Sequence, residues 1–260
     1  MIPVFTLASD PQKKIHFREA TVADVMDFTG IDEGHDEEVT TLFLNKIQLP
    51  ENYVDSVTWT ADDRRLALFW YWVNTSQDAT VPISYECDHC GEKHTFLLNM
   101  NDLIAGYRPI QGKAEREIEF DGETITVHPL NGADMEALEL KRLALEEIAA
   151  EKGENSGEYR KKLAQIRLLQ FLFSICDARD ADRLKAMQEK VLKLPERKFV
   201  DLVEQTAEKL NEMEHGLKSE YVNGEIFLLT PPHKCPKKGK EDFSTRLRVP
   251  FRSNDYIPSI

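Results

Sequence analysis

Stretches of alternating polarity and stretches of helical spacing follow one another along the chain. Alternation predicts strands, because successive side chains of a strand point to opposite faces. The alternating stretches are residues 14–18, 81–86, 94–98, 115–120, 124–128 and 221–229. Helical spacing is found in residues 22–27 and 36–46 and, with a polar break at residues 153–157, from residue 131 to residue 214. The pattern therefore predicts small β hairpins separated by a long helical region.

Capping residues mark where several of these helices begin. Thr21 and Asn131 each stand directly before a helical pattern and have side chains that accept hydrogen bonds from the first turn. The segment 60–63 has the form of a capping box, so the apolar run 66–73 is predicted as a helix, although its length also suits a buried strand. Pro195 suits the first turn of a helix.

These elements predict an α+β fold made of three parts. Residues 1–78 form an N-terminal α/β segment that ends in the aromatic-rich helix. Residues 79–130 form a small β module, similar to a zinc ribbon, which residues 219–260 complete. Residues 131–218 form a helical insertion within that module, and the extended C-terminal arm is not expected to fold alone.

Composition and charge narrow the functional classes. The chain is 41% hydrophobic and 30% charged, which is typical of a soluble globular protein. Its formal net charge of -13 repels phosphate backbones and argues against nucleic-acid binding by the whole surface. No secretory signal is recognisable at the N-terminus, and the apolar run 66–73 is too short to span a membrane. We therefore expect a cytoplasmic protein without a disulfide framework.

The motif Cys87-Asp88-His89-Cys90-Gly91 lies between two predicted strands and has the form of a zinc knuckle. A tight turn with a glycine after the second cysteine can present both sulfurs to one tetrahedral ion. A redox role would instead require a helix after the motif, and here a strand follows. One pair of cysteines supplies only half of a structural zinc site.

The best match for the other half lies far downstream. Cys235-Pro236-Lys237-Lys238-Gly239 repeats the pattern Cys-x-x-(Cys or Lys)-Gly, and a phenylalanine follows each copy. We interpret the two copies as knuckles of one ribbon, with Lys238 in place of a fourth thiolate. This interpretation requires the C-terminal arm to fold back, so that Cys235 lies beside Cys87 and Cys90.

Three histidines compete to complete the predicted site. His233 is ranked first because it is two residues before Cys235, followed by His94, and His89 is the third candidate. The predicted zinc ligands are thus Cys87, Cys90, Cys235 and His233, with zinc as a structural cofactor. The competing interpretation is a degenerate knuckle that folds without metal.

The remaining motifs and residues do not indicate catalysis. The sequence has no glycine-rich phosphate loop, no His-Glu-x-x-His motif and no Gly-x-Ser-x-Gly motif, so catalysis is not predicted. Cys176 ends an apolar helix face and is predicted to be a small buried hydrophobic residue. The basic residues of the arm suit either docking to an acidic partner or protection of an edge strand.

The order of these parts resembles the baseplate hub assembly proteins of T4-type contractile-tailed phages. The residues that carry the resemblance are the two knuckle motifs, Phe251 and the segment Tyr256-Ile257-Pro258 near the end of the chain. The resemblance implies a non-catalytic phage tail protein, acting as a chaperone or a minor structural subunit. Its partners would be other tail or baseplate proteins, and it would be found in the host cytoplasm during assembly or in the virion tail.

A second hypothesis remains open. A cytoplasmic zinc-ribbon regulator would contact nucleic acid through the basic arm, residues 234–252. The net acidic charge of the chain places this hypothesis behind the first.

Overall fold

A computed structural model describes residues 1–28, 34–222, 225–237, 239 and 242–258 of the chain. Within these residues the fold is α+β, as predicted, and all strand pairs are antiparallel. Residues 223–224, within the alternating stretch 221–229, lie outside the described residues, and so does Lys238.

The N-terminal segment begins with a short strand pair and continues into three helices. Its elements are β1 (Phe5–Thr6), β2 (Lys14–Ile15), α1 (Val22–Met26), α2 (Asp36–Ile47) and α3 (Ala61–Thr75). Thr21 caps α1 in a capping box with Asp24, and Thr60 caps α3 by accepting from the backbone N–H of Asp63. The helical interpretation of the run 66–73 is confirmed.

Helix α3 lies in the largest hydrophobic core. Leu68 and Phe69 are fully buried there, and Phe5 and Phe43 pack into the same core from β1 and α2. Burial of such side chains contributes about 1.5–3 kcal/mol each relative to exposure. The aromatic run 66–73 therefore forms the centre of a packed core and no membrane contact is needed to explain it.

Two hairpins follow α3. Their elements are β3 (Thr80–Glu86), β4 (Lys93–Asn99), the short helix α4 (Asn101–Ile104), β5 (Arg116–Phe120) and β6 (Glu123–Val127). The β5–β6 turn places Asp121 at φ 50° and Gly122 at φ 79°, and Asp-Gly is a preferred sequence for a turn with two positive φ angles. Both hairpins were predicted from alternation.

The helical region contains four helices. They are α5 (Gly132–Lys152), α6 (Gly157–Phe173), α7 (Ala181–Val191) and α8 (Glu196–Glu212). Asn131 caps α5, and Gly153, at φ 78°, follows its last residue. Helices α5 and α6 pack together through a small core, whereas α6, α7 and α8 share a separate core with the β5–β6 hairpin. The second hairpin is thus packed on the helical region.

The C-terminal residues return to the N-terminal core. They form β7 (Ser219–Val222), β8 (Glu225–Leu229), β9 (His233–Lys234), β10 (Ser244–Thr245) and β11 (Arg248–Pro250). Strands β11, β8 and β7 form one sheet in that order, and β9 pairs with β10. Beyond β11, Phe251 and Tyr256 are buried in the core that contains α3. These C-terminal residues are thereby held against α3.

Candidate metal centre

The first knuckle is formed by the turn that joins β3 to β4. The carbonyl oxygen of Cys87 accepts from the backbone N–H groups of Cys90 at 3.2 Å and Gly91 at 2.8 Å. Gly91 has φ 70°, a conformation that glycine adopts without the steric cost of a Cβ. The Cys-x-x-Cys-Gly sequence therefore folds into a tight turn, with Cys87 at its start and Cys90 near its end.

The second knuckle joins β9 to β10. The backbone N–H of Cys235 donates to the carbonyl oxygen of Phe243 at 2.9 Å, which continues the pairing of the two strands. Gly239 stands four residues after Cys235, as Gly91 does after Cys87, and it also has a positive φ, 83°. This shared glycine conformation supports the interpretation of the two motifs as copies of one knuckle.

The two knuckles meet. The sulfurs of Cys87, Cys90 and Cys235 and a ring nitrogen of His94 all lie within 4.8 Å of one another. The Cys87 and Cys235 sulfurs are 3.7 Å apart, although 148 residues separate them in sequence. Two thiolates bound to one tetrahedral zinc ion, each at about 2.3 Å, lie about 3.8 Å apart. The predicted return of Cys235 to the first cysteine pair is confirmed, and the four residues could bind a metal ion.

His94 is the histidine that the structure brings to the cysteines. It lies on β4, and its Nε2 is 3.1 Å from the sulfur of Cys90. Cys87 and Cys235 are each only 1% exposed, so the group is closed to solvent on that side. Three sulfurs and one imidazole nitrogen match the donor set of structural zinc sites.

His233 occupies a different position. Its ring stacks on Phe96 with centroids 4.4 Å apart and meets Tyr85 edge-on at 5.1 Å. Both ring nitrogens are buried without a hydrogen-bond partner among the described residues, and burial lowers the pKa of this histidine. His233 is outside the group of four that contains His94.

His89 lies at the surface of the first knuckle. Its ring stacks on Phe243 of the second knuckle with centroids 5.0 Å apart, and its Nε2 is 3.4 Å from the carbonyl oxygen of Ser244. The third candidate thus contacts the arm and does not belong to the group of four.

The surroundings of the Cys87 sulfur lower the pKa of its thiol. Burial raises this pKa, but hydrogen bonds from the backbones of His89 and Cys90 and from the side chains of Cys235 and Cys90 together outweigh burial. Burial and the neighbouring sulfurs raise the pKa of Cys235. A bound cation would reverse the second effect, because metal binding deprotonates a coordinating thiol.

Charged residues of the arm pair within the molecule. Lys237 of the second knuckle lies 2.6 Å from Glu92 of the first, and Arg248 lies 2.9 Å from Glu220 of β7. These pairs are exposed, and each contributes little to stability by itself. Two basic residues of the arm thus already have acidic partners in this chain.

Cys176 lies away from the metal centre, in the core shared by α6, α7 and α8. It is 1% exposed, and burial raises the pKa of its thiol. The predicted role as a small buried hydrophobic residue is confirmed.

Comparison with protein families identifies the group to which this fold belongs. A family model described as T4 bacteriophage base plate protein matches residues 2–154, more than half of the chain. The chain belongs to this baseplate protein family. Family membership confirms the resemblance that the sequence order indicated, and it supports a structural or assembly role in the phage tail.

The matched region contains only part of the metal centre. Cys87, Cys90 and His94 lie within residues 2–154, whereas Cys235 lies beyond them. Comparisons with curated proteins and with solved structures found no match. Among the described residues, no helix combines the length and apolar character needed to cross a bilayer.

Proposed function

We propose that this baseplate family member is a non-catalytic assembly or minor structural protein that binds other tail proteins. The family match over residues 2–154 is the observation that carries this proposal. It is supported by a group of four potential ligands, three cysteines and one histidine, which suits a structural ion. The protein would act in the host cytoplasm during assembly or as part of the virion tail.

We further propose that zinc is bound by Cys87, Cys90, Cys235 and His94. This ligand set replaces the His233 of the sequence-based prediction, since His94 lies beside the Cys90 sulfur and His233 is stacked on Phe96. Three cysteines and one histidine fill all four tetrahedral positions, which is typical of structural and not of catalytic zinc.

Zinc in this position would act as a clamp between distant parts of the chain. Cys87, Cys90 and His94 belong to the β3–β4 hairpin, whereas Cys235 belongs to the arm that follows the helical region. The free energy of metal binding would appear as folding free energy, because the four ligands are assembled only in the folded chain. The clamp would give the arm a fixed position from which partners can recognise it.

The ligand set is tested by comparing two histidine variants. Purified protein should contain about one zinc per chain by elemental analysis. His94→Ala should lower the zinc content and the melting temperature, whereas His233→Ala should retain zinc. In cobalt-substituted protein, the absorption should report three thiolate ligands, and Cys176→Ser should leave it unchanged.

Two outcomes would contradict the proposed zinc ligands. Loss of zinc in His233→Ala with retention in His94→Ala would return the fourth position to His233. Protein without zinc, and with unchanged melting after substitution of both Cys87 and Cys90 by serine, would leave a knuckle that folds without metal.

The assembly role is tested in infected cells. Affinity-tagged protein, expressed during infection by the phage that encodes it, should be recovered with identified baseplate or tail proteins. The absence of every tail protein from the recovered material would contradict the proposal. Salt-sensitive binding of purified protein to DNA or RNA would instead favour the regulator hypothesis.

A further inference from the structure

The hairpin of the metal centre has an open edge along β3. Residues across an antiparallel pair alternate between hydrogen-bonded and non-hydrogen-bonded positions. Bonds from Cys87 N–H to the Glu92 oxygen and from Met100 N–H to the Ala79 oxygen flank the ladder, so the odd-numbered residues of β3 bond to β4. The backbone groups of Ser84 and the other even-numbered residues therefore point away from β4.

Proline in β3 fits this assignment. Pro82 lies in an even-numbered position, where its missing N–H removes no bond to β4. Thr80, the first residue of the strand, donates its N–H to the side chain of Asp78 at 2.8 Å. The outward N–H groups that remain on this edge are those of Ser84 and Glu86.

A pocket of about 450 Å³ runs along the same edge. Residues Ile83, Ser84, Tyr85 and Glu86 line one side, and residues Thr245 to Arg248 line the other. On that second side, the carbonyl oxygen of Leu247 accepts from Thr230, just after β8, and Phe251 donates to Ile226 of β8. Alternation therefore directs the backbone groups of Arg246 and Arg248 away from β8. Extended backbone with outward donors and acceptors thus borders the pocket from both sides.

We propose that this pocket receives an extended, basic segment of a partner tail protein, which adds as a strand along β3. The inference rests on the proposed assembly function and names the surface that would perform it. Main-chain hydrogen bonds to an exposed strand edge are a recurrent way to bind an extended peptide. An added strand would satisfy the outward groups of Ser84 and Glu86.

The charges at the pocket favour a basic segment. Glu86 and Asp88 line it, and neither carboxylate has an ion-pair partner among the described residues. Arg248 is already paired with Glu220, which leaves Arg246 as the unpaired base of the lining within that part of the chain. With a net charge of -13 on the whole chain, a segment with lysine or arginine is attracted more strongly than an acidic one.

The opposite edge of the hairpin provides a matched control. Thr95 is directly opposite Ser84 in the register, so its backbone groups point outward from the β4 edge. No residue of β4 lines the pocket. Ser84→Pro and Thr95→Pro therefore remove one outward N–H each, from opposite edges, and neither change breaks a bond between β3 and β4.

The experiment compares these variants during infection by the phage that encodes the protein. Tagged wild-type protein, Ser84→Pro, Ser84→Ala and Thr95→Pro are recovered, and the identified tail protein bound per chain is measured. Ser84→Pro should reduce that amount at least about tenfold, because it removes the backbone N–H of residue 84 and its ring keeps an added strand from approaching the edge. Ser84→Ala keeps the N–H and should bind as wild type does, as should Thr95→Pro.

Hydrogen exchange supplies a readout that a folding defect does not imitate. In the wild-type complex, the amides of Ser84 and Glu86 should exchange more slowly than in the free protein, whereas that of Thr95 should not change. Zinc content and melting temperature of the free variants should equal those of wild type within error.

The outcomes separate the two proposals. Wild type bound to tail proteins, with Ser84→Pro bound equally well or with no added protection at Ser84, would overturn the β3 site and leave the assembly function standing. Absence of tail proteins from the wild-type sample would overturn both. Equal loss in Ser84→Pro and Thr95→Pro would assign the effect to the hairpin as a whole and likewise overturn the β3 site.

Discussion

Single residues join segments of this protein that are far apart in sequence. Asp63 of α3 is fully buried, and its carboxylate accepts from the backbone N–H of Ala8 at 2.6 Å and from the hydroxyl of Thr60 at 3.0 Å. The same hydroxyl is 2.7 Å from the Nε2 of His215, which follows the helical region. A buried carboxylate requires such partners, since its desolvation is otherwise costly. The start of the chain, α3 and the end of the helical region thus meet at one polar centre.

Gly132, the first residue of α5, has no room for a side chain. A Cβ there would overlap the guanidinium of Arg64 and would lie 2.8 Å from the carbonyl oxygen of Val57. Arg64 is 1% exposed and cannot move into solvent without losing its contacts to α2. We therefore expect Gly132→Ala to lower the free energy of unfolding by about 1–3 kcal/mol, measured by urea denaturation.

Gly157 is the matched control for this prediction. It is also the first residue of a helix, and no atom lies within 4 Å of the position that a Cβ would take. Gly157→Ala should leave stability unchanged or raise it by up to about 1 kcal/mol. Equal destabilisation by both substitutions would mean that the backbone, and not the contact with Arg64, sets the cost.

Glu139 makes stability depend on pH near neutrality. Burial raises its pKa from 4.5 to about 7, and the nearby carboxylates of Glu37 and Asp36 act in the same direction, against a hydrogen bond from the Glu37 backbone N–H. The folded state therefore holds this proton more tightly than the unfolded state does. The contribution of Glu139 to stability is complete below about pH 4.5 and is lost as the pH rises through about 7.

Glu139→Gln should remove that loss. The amide oxygen can still accept from the Glu37 backbone, and no charge has to be buried. After allowance for solvent screening of a partly exposed side chain, we expect a gain of about 1–2 kcal/mol at pH 8 and little change at pH 5. Glu147→Gln, at an exposed position of the same helix, controls for the change in net charge. A gain that is equal at both pH values would contradict the prediction.

At the scale of elements, features that depend on local sequence could be predicted, whereas features that depend on tertiary contacts could not. The starts of α1, α3 and α5 follow from Thr21, Thr60 and Asn131, because a cap acts within one turn. The packing partner of the β5–β6 hairpin could not be predicted, since both hairpins alternate alike. Its attachment to the helical region depends on contacts that no local pattern contains.

The metal centre shows the same division. The return of Cys235 could be predicted because its motif repeats the earlier one, with a glycine four residues after the cysteine in both. The choice between His94 and His233 could not. It depends on how β9 packs across β3 and β4, where Phe96 and Tyr85 take up the ring of His233. Distance in sequence favoured His233, and packing favours His94.

The residues that follow β11 are anchored to α3 through an aromatic ring. Tyr256 is 5% exposed and stacks on Phe251 with centroids 4.7 Å apart, and it also meets Phe69 and Trp72 of α3. Tyr256→Ala should destabilise the protein by about 3–5 kcal/mol in urea denaturation, as expected for loss of a buried aromatic ring.

Two controls separate ring packing from other effects of this change. Tyr256→Phe retains the ring and should cost less than about 1.5 kcal/mol. Tyr53→Ala removes a half-exposed tyrosine and should change stability by about 0.5 kcal/mol or less. A small effect of Tyr256→Ala would show that the end of the chain contributes little to the core that contains α3.

At the scale of the whole molecule, the C-terminal segment, residues 225–258, is held at three places along its length. Strand β8 lies in the sheet at its start, Cys235 lies at the metal centre, and Tyr256 lies in the N-terminal core near its end. Removal of a bound ion would release the middle place and leave the other two. The remainder of the fold should then persist, because its three hydrophobic cores do not depend on the knuckles for their main contacts.

Chelation should therefore open one segment selectively. The arm carries the exposed basic residues Lys234, Lys237 and Arg246, each a site for trypsin, between its two remaining anchors. With a zinc chelator, limited proteolysis followed by mass spectrometry should show cleavage at these sites at least about tenfold faster, since local opening exposes extended backbone. Cleavage within α5 to α8 should not accelerate.

His94→Ala should show the same rapid cleavage without chelator, and readdition of zinc should slow cleavage in wild type alone. Acceleration at all sites would mean that the ion supports the whole fold, and unchanged rates everywhere would mean that the knuckles hold the arm without metal.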